Sequence, residues 1–162
     1  MKIERPTAAD YPEILELNES GLPHVNRISV DDLGRFAAQS HYFKIAREGG
    51  RIEAFLLAFA EGAAYDSPNF LWFRDRYPRF VYIDRIVVLP SLRRSGIGRL
   101  LYADLEREAS AHAPDLTCEV NLDPPNPGSL KFHERSGFVE VGRQHTGGGE
   151  KFVCLMAKKL SV

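Results

Sequence analysis

The residues of this chain that are best suited to chemistry form one short loop, Arg93-Arg94-Ser95-Gly96-Ile97-Gly98-Arg99, directly after an apolar run. Gly96 and Gly98 lack a Cβ, so backbone N–H groups there can come close to an anion. A helix predicted to begin at about Ile97 would point its unpaired first-turn N–H groups and its positive dipole end at the same place. The arginines would add permanent charge and planar, paired donors. The loop therefore predicts a pyrophosphate site.

Two common phosphate-binding loops do not fit this spacing. A dinucleotide fingerprint needs three glycines with an acidic residue at the end of the next strand, and a Walker loop needs Gly-Lys-Ser/Thr. The pattern present is Arg-x-x-Gly-x-Gly after a strand that ends in Val-x-Pro. It resembles the acetyl-CoA-binding motif of the GNAT acetyltransferase superfamily. The alternative is a tight strand-to-helix turn that holds no ligand.

A second stretch, residues 119–142, carries an independent match to the same superfamily. In GNAT proteins a strand leads into Asn-x-x-Ser/Ala at the start of a helix, the helix carries an aromatic pair, and Gly-Phe begins the next strand. The corresponding residues here are Asn126, Ser129, Phe132, His133 and Gly137-Phe138. Two motifs in the right order, separated by one helix, identify the chain as a GNAT member. The resemblance covers residues 80–160 well and the first half only through its order of elements.

The resemblance implies one GNAT domain over residues 1–162, an α/β (α+β) fold with a splayed, mostly antiparallel, seven-stranded sheet flanked by four helices. Hydrophobic periodicity and turn residues predict the element order β-α-α-β-β-β-α-β-α-β-β. Residues 42–47 and 51–60 are predicted to form one hairpin, and residues 138–144 and 151–158 another. The run 62–80 shows no periodicity and is predicted to be irregular. Its six aromatic residues would either line an acceptor pocket or complete a core or dimer interface.

By resemblance, three groups of residues would bind acetyl-CoA as the co-substrate. Backbone N–H groups of the strand before the loop would hold the thioester carbonyl oxygen, a role that falls on Ile86, Val87 and Val88. The loop would hold the pyrophosphate. Asn126 and Ser129 would contact the pantetheine and phosphate region, and Phe132 would complete the site. For Asn126 and Ser129 the alternative roles are a turn residue and a first-turn helix residue.

Acetyl transfer to an amine also needs a proton acceptor for the amine and a proton donor for the leaving thiolate. His133 occupies the place where many GNAT enzymes carry a tyrosine donor, and an imidazolium can donate the same proton. The alternative is a surface histidine, with water as the donor. Glu119 and Asp84 are the candidate bases, and strand alternation puts Asp84 on the same side as Ile86. Burial would raise the pKa of either carboxyl group.

Each of the two carboxylates also has a plainer alternative, as an ion-pair partner of Arg85 or Arg135 or as one end of a water chain. In the second case the carboxylate takes the amine's proton through the waters and not by direct transfer. The spacing of these residues does not decide between the two roles.

Charge and composition limit the binding partners and the cellular location that we expect for the protein. The net charge of −1, with both signs interleaved along the chain, predicts binding to neither nucleic acid nor an anionic membrane surface. The N-terminal segment lacks the features of a secretory signal and no apolar run is long enough to span a membrane, so a cytoplasmic protein is expected. The spacing of Cys118 and Cys154, and that of the five histidines, suits no metal site.

The sequence therefore predicts an acetyl-CoA-dependent N-acetyltransferase that acts on a primary amine by direct transfer in a ternary complex. The acceptor is left open between a small amine, an amino acid and a protein N-terminus, and a homodimer is left open as well. Balanced charge argues against a strongly acidic groove for polycations. The alternative is a module that binds CoA without turnover, an interpretation that the missing tyrosine supports.

Overall fold

The chain folds into one seven-stranded sheet with helices packed on both faces, as a computed structural model describes it for residues 1–161. The strands in these residues are β1 (Lys2–Glu4), β2 (Tyr42–Glu48), β3 (Arg51–Ala60), β4 (Val81–Val88), β5 (Asp115–Asp123), β6 (Val139–Thr146) and β7 (Lys151–Lys159). The α-helices are α1 (Tyr11–Glu19), α2 (Val30–Gln39), α3 (Pro68–Arg74), α4 (Ile97–Ala109) and α5 (Pro127–Arg135). The predicted order is confirmed, with one helix added.

The strands lie in the order β1-β2-β3-β4-β5-β7-β6, and every neighbouring pair is antiparallel except β4 with β5. Both predicted hairpins are present. Gly49 and Gly50 turn the first one with φ of 57° and 80°, in the left-handed region that glycine adopts without a steric penalty. The mostly antiparallel sheet of the prediction is confirmed.

The single parallel pair is short, and this opens the sheet. β4 and β5 pair only through Val81 with Leu116 and Tyr82 with Thr117. From Ile83 onward, β4 has no strand partner on that side among the described residues, so its backbone N–H groups there remain available. The splay that the GNAT resemblance implies is therefore present in this sheet.

The prediction of four helices is wrong, because α3 lies within the aromatic run that was expected to be irregular. Pro68 stands in the first turn, where its missing N–H costs nothing. Phe70 and Phe73 are fully buried and Tyr77 follows four residues later. The spacing of three residues puts Phe70 and Phe73 on one face of α3, which packs on the sheet, and Tyr77 packs beside Phe73 just after the helix ends. The helical period was present in the sequence but was hidden by the other aromatic residues around it.

Two apolar clusters separate the faces of the sheet. On one face, Leu101 and Leu105 of α4 pack with Leu56 and Ile83 of the sheet. On the other face, residues of α1, α2 and α3 pack with Phe55, Phe59 and Tyr82. Each site residue therefore lies either on the α4 face or on the α1–α3 face of the sheet. The splay between β4 and β5 is the opening that connects the two faces.

Candidate active site

The glycine loop leads into α4 in a geometry that suits an anion. Gly96 has φ of 95° and open space where a Cβ would be. Among the described residues of α4, the first backbone N–H that donates to a backbone carbonyl is that of Leu100. It donates to the carbonyl of Gly96 at 3.1 Å. The N–H groups of the first three helical residues, 97–99, are thus unpaired. Arg93, Arg94, Ser95 and Arg99 are exposed around them, so the residues present fit a bound pyrophosphate.

Arg93 and Arg94 differ in how they are held. The Nη2 group of Arg93 donates to the carbonyl of Ser20 at 3.3 Å and so connects the loop to the end of α1. Arg94 has φ of 68°, the one non-glycine residue with positive φ in the described chain. A non-glycine residue in this region carries strain, and such residues cluster at ligand sites.

The loop, β4 and α5 meet at Gly98. A Cβ on Gly98 would lie 3.4 Å from Cε1 of Phe132 and 3.6 Å from Cδ1 of Ile86. Three predicted site residues from three different elements are therefore brought together. Ile86 and Val88 pack toward the α4 face, whereas Val87 packs toward the α1–α3 face.

Asn126 and Ser129 lie at the start of α5. Asn126 precedes the helix, and its backbone N–H donates to the carbonyl of Asn121 at 3.2 Å. Its side-chain amide has no protein partner among the described residues, so it is available to a ligand. Ser129 is half-buried, with its Oγ 3.3 Å from Nδ1 of His133.

His133 is buried with 4% exposure, so the alternative of a surface histidine is wrong. Its Nδ1 lies 2.7 Å from the carbonyl oxygen of Ser129, and its Nε2 lies 2.6 Å from the hydroxyl of Tyr102. A carbonyl can only accept, so Nδ1 carries the proton and Nε2 accepts from Tyr102. Burial lowers the pKa of His133, and the imidazole is neutral with both nitrogens occupied.

A bulge in β4 changes the predicted direction of Asp84. The register between β3 and β4 shifts between Ile83 and Arg85, which leaves Asp84 as the extra residue. Ile86 packs toward the α4 face, but the Asp84 carboxylate accepts hydrogen bonds from Tyr65 and Arg85 on the opposite face. The prediction that Asp84 faces the same side as Ile86 is wrong, because one inserted residue breaks the two-residue alternation of a strand.

A cavity of about 410 Å³ lies on the α1–α3 face at this bulge. Segments 24–26 and 65–69 form two of its walls, with 146–147 at a third. The aromatic run, predicted either to line an acceptor pocket or to complete a core, therefore reaches this cavity, and so does the segment that follows α1. Tyr65 is the aromatic wall, whereas Phe70, Phe73 and Phe80 belong to the core. The strands contribute Asp84, Arg85, Glu119 and Asn121.

The two candidate bases have different surroundings in this cavity. The Asp84 side chain, 5% exposed, accepts from Nε of Arg85 at 2.7 Å and from the Tyr65 hydroxyl. Glu119 accepts from the Tyr82 hydroxyl at 2.6 Å. Burial, aided by the negative charge of Asp84, raises the pKa of Glu119 to about 8. Asp84 forms the ion pair with Arg85 that was given as its alternative role. Glu119 forms an ion pair with neither Arg85 nor Arg135.

Sequence reasoning missed the two tyrosines that complete these sites. Tyr82 reaches Glu119 because β4 pairs with β5 at Thr117, two residues before Glu119 on the same face of the strand. Tyr102 reaches His133 because the side chains of α4 and α5 pack against each other. Tyr102 could have been found from its spacing, since it lies four residues after Gly98 and so on the same helix face. No local signal points to the pairing of Tyr82 with Glu119.

No helix in residues 1–161 is both long and apolar enough to cross a membrane. No group of three or more His, Cys, Asp or Glu side chains in the same residues is arranged to hold a metal ion.

Comparison with solved structures shows the same fold in characterised acetyltransferases. The ribosomal-protein-S18-alanine N-acetyltransferase from Escherichia coli is 19% identical with a TM-score of 0.71, covering 99% of this chain and 94% of that one. Naa20 from Chaetomium thermophilum, solved with a bisubstrate analogue, is 19% identical with a TM-score of 0.77 over 99% and 87%. The NatB acetyltransferase complex bound to CoA and MES is 17% identical with a TM-score of 0.78 over 99% and 100%.

No curated protein sequence matches the chain. Residues 11–138, however, match the Acetyltransferase (GNAT) family, a span that includes the glycine loop, the splayed strands and the Asn126–Phe138 segment. With its sheet order and its open β4–β5 pair, this match makes the chain a member of the GNAT acetyltransferase family.

Proposed function

We propose that this protein is an acetyl-CoA-dependent N-acetyltransferase that transfers the acetyl group directly to a primary amine in a ternary complex. The observation that carries the proposal is the splay after Tyr82 and Thr117. A loop suited to pyrophosphate lies at the α4 face of that opening, and a cavity with a high-pKa carboxyl group lies at the other. Donor and acceptor can thus approach one point from opposite sides, as direct transfer requires.

The donor would be held by the loop residues and by the start of α5. Unpaired N–H groups at 97–99, with Arg93, Arg94, Ser95 and Arg99, would take the pyrophosphate. The free amide of Asn126, with Ser129 and Phe132, would line the path of the pantetheine arm. Acetyl-CoA supplies the acetyl group as an activated thioester. The unpaired backbone of β4 at 86–88 would donate hydrogen bonds to the thioester carbonyl oxygen, where negative charge develops.

For the proton of the amine we assign Glu119 as the acceptor. A base is most effective when its pKa is close to the working pH, and burial gives Glu119 such a pKa of about 8. Tyr82 holds the carboxyl group in place through its hydroxyl. Asp84 is held instead by Arg85 and Tyr65, so we assign it a positioning role on this wall of the cavity.

For His133 we propose a positioning role in place of proton donation. An imidazolium donor would need a free N–H at the sulfur, whereas both nitrogens of His133 are engaged inside the protein. Its neighbour Phe132 packs at Gly98, so the histidine helps to shape the donor site. The thiolate would then take its proton from water.

Calorimetric titration with acetyl-CoA tests the donor site. Gly98→Glu puts a carboxylate where the pyrophosphate would bind, and its Cβ makes only ordinary contacts. Gly34→Glu is the matched control, because it adds the same charge at an exposed helical position with nothing within 4 Å. Binding by the wild type and by Gly34→Glu, lost in Gly98→Glu, supports the proposal. Absence of binding to the wild type would overturn it.

Turnover separates an enzyme from a module that only binds CoA. The engaged His133 favours the binding module as the second candidate, since it leaves no side-chain donor for the thiolate. Release of free CoA thiol in the presence of an amine panel, with the acetylated amine identified by mass spectrometry, supports the enzyme. Tight binding of acetyl-CoA with no acetylated amine above the uncatalysed rate supports the module.

A further inference from the structure

The polar groups of the acceptor cavity are divided between two ends, and this division indicates which class of acceptor the cavity can bind. Along the α1–α3 face of the sheet, Glu119 lies opposite Leu155, Asn121 lies opposite Val153, and Lys151 follows at the end of β7. Residues two apart on one strand are separated by about 7 Å. The proton-accepting group is therefore at one end of a row, with an amide in the middle and a lysine at the other end.

The cationic end has charge that the protein does not neutralise. The Nζ of Lys151 lies 3.0 Å from the Oδ1 of Asn26, and no carboxylate among residues 1–161 forms an ion pair with it. The charges of Lys151 and Arg93 also help to lower the pKa of His24, after burial. This end of the cavity is therefore suited to an anionic group.

Arg85 adds a second cationic donor on the cavity wall. It is only 8% exposed, with Nε on Asp84 and Nη1 on Asn18 and on the carbonyl of Asn26. Within the described chain, its Nη2 makes no hydrogen bond. A buried guanidinium held rigidly on three sides, with one nitrogen free at the cavity, is preorganised for a planar oxyanion.

The acidic groups of the cavity do not cancel this pattern. Asp84 is neutralised by Arg85, and Glu119 is the group assigned to the amine. Asp66 is exposed on the wall that this cavity shares with a second one between α2 and α3. A polycation would meet Lys151, and a purely anionic acceptor would meet Asp66. An acceptor that carries both an amine and a carboxylate matches both ends.

We infer that the acceptor is a free amino acid, with its amine at Glu119 and its carboxylate at the Nη2 of Arg85. Lys151, which contacts Asn26 as Arg85 does, adds positive charge on the side of that carboxylate. This inference rests on the proposed function and names its substrate class. An amide or a peptide N-terminus has a neutral carbonyl where the carboxylate would be, so it would leave the cationic end without its partner. A hydrogen bond to a carboxylate is charge-assisted and therefore stronger than one to a neutral carbonyl, so we expect the site to select the free acid over the amide or peptide.

Binding distinguishes these acceptors without depending on turnover. The wild-type protein, saturated with CoA, is titrated calorimetrically with each of the common L-amino acids and with the matching C-terminal amide. We expect the best free acid to bind at least about tenfold more tightly than its amide. Amides that bind as tightly as the acids, or acids that do not bind at all, would overturn the inference.

A variant pair locates the selectivity. Lys151→Met keeps the length and packing of the side chain but removes the charge, and should reduce the acid-to-amide ratio by at least about fivefold. Lys2→Met makes the same change on β1, far from the cavity, and should leave the ratio unchanged. An unchanged ratio in Lys151→Met overturns the assignment of this lysine.

The two hypotheses fail in different ways. If acetyl-CoA binds and amides or peptide N-termini are acetylated as well as free acids, the proposed function stands and the amino-acid inference falls. If acetyl-CoA does not bind, the proposed function falls, and the comparison of acids with amides is made on the free protein as a test of the charge pattern.

Discussion

His133 and Tyr102 are joined by a hydrogen bond of 2.6 Å between the imidazole Nε2 and the phenol oxygen, which connects α5 to α4. Both side chains are buried, and the Phe132 ring lies 5.1 Å from the Tyr102 ring, measured between centroids. Phe132 in turn contacts the position of Gly98. Under the proposed function, His133 therefore acts by shaping the donor site through Tyr102 and Phe132.

This pair predicts a coupled effect on stability. His133→Phe would leave the Tyr102 hydroxyl buried without an acceptor, at a cost of about 1–3 kcal/mol in the free energy of unfolding. Tyr102→Phe would orphan the Nε2 of His133 at a similar cost. The double variant should cost clearly less than the sum of the two, because it leaves neither partner unsatisfied. Urea unfolding measures all three, and additive costs would contradict a direct hydrogen bond.

The parts of the fold that follow from local rules could be predicted from the sequence. The two apolar runs on either side of Gly49-Gly50 are sufficient to predict the β2–β3 hairpin, and the glycine loop with its helix follows from backbone freedom and helix-start chemistry. Helix α3 could in principle have been predicted too, since Phe70, Phe73 and Tyr77 carry the helical period. It was missed because neighbouring aromatic residues obscured that period.

The details of the site depend on contacts between distant parts of the chain. The direction of Asp84 is decided by a bulge against β3, which strand alternation within β4 does not reveal. Glu119 acquires its surroundings from Tyr82, 37 residues earlier. His133 is buried and hydrogen-bonded to Tyr102, which lies 31 residues earlier in the chain. Candidate residue types could therefore be predicted, whereas their protonation and partners could not.

The raised pKa of Glu119 predicts the pH dependence of transfer. Below about 8 the carboxyl group is mostly protonated and cannot accept the amine's proton, so kcat/KM should rise as the pH rises through about 8. Glu119→Gln should lower kcat by roughly 100-fold or more and remove this limb of the profile. Steady-state kinetics from pH 6 to 9.5 measure both. A variant that keeps the limb would place the titrating group elsewhere, such as on the amine itself.

Asp84 and Arg85 predict a stability effect that differs from that of a base. Asp84→Ala would leave the buried guanidinium of Arg85 without its carboxylate and should cost about 3–5 kcal/mol in the free energy of unfolding. Asp84→Asn keeps an oxygen that can accept from Arg85 or Tyr65, so it should cost less. If Asp84 only positions its neighbours, folded Asp84→Asn should keep kcat within about tenfold of the wild type. A loss as large as that in Glu119→Gln would assign the base to Asp84 instead.

Trp72 and Gly142 connect α3, whose start forms part of the cavity wall, to the edge strand β6. A Cβ on Gly142 would lie 2.9 Å from Cη2 of Trp72 and closer still to Cζ2, so Gly142→Ala must displace the indole. We expect a cost of about 1–3 kcal/mol in the free energy of unfolding. Gly34→Ala, with nothing within 4 Å in α2, is the matched control and should stabilise the protein slightly.

The same displacement should separate the two substrates kinetically. Because Pro68 and Asn69 line the acceptor cavity, a shift of α3 should raise the KM for the amine. The loop at 93–99 is on other elements, so the Kd for acetyl-CoA should not change. Calorimetry with acetyl-CoA and steady-state kinetics with varied amine measure the two quantities on Gly142→Ala. If both constants weaken together, the variant perturbs the whole sheet and α3 has no separate role in acceptor binding. If neither changes, the indole can move without moving the cavity wall.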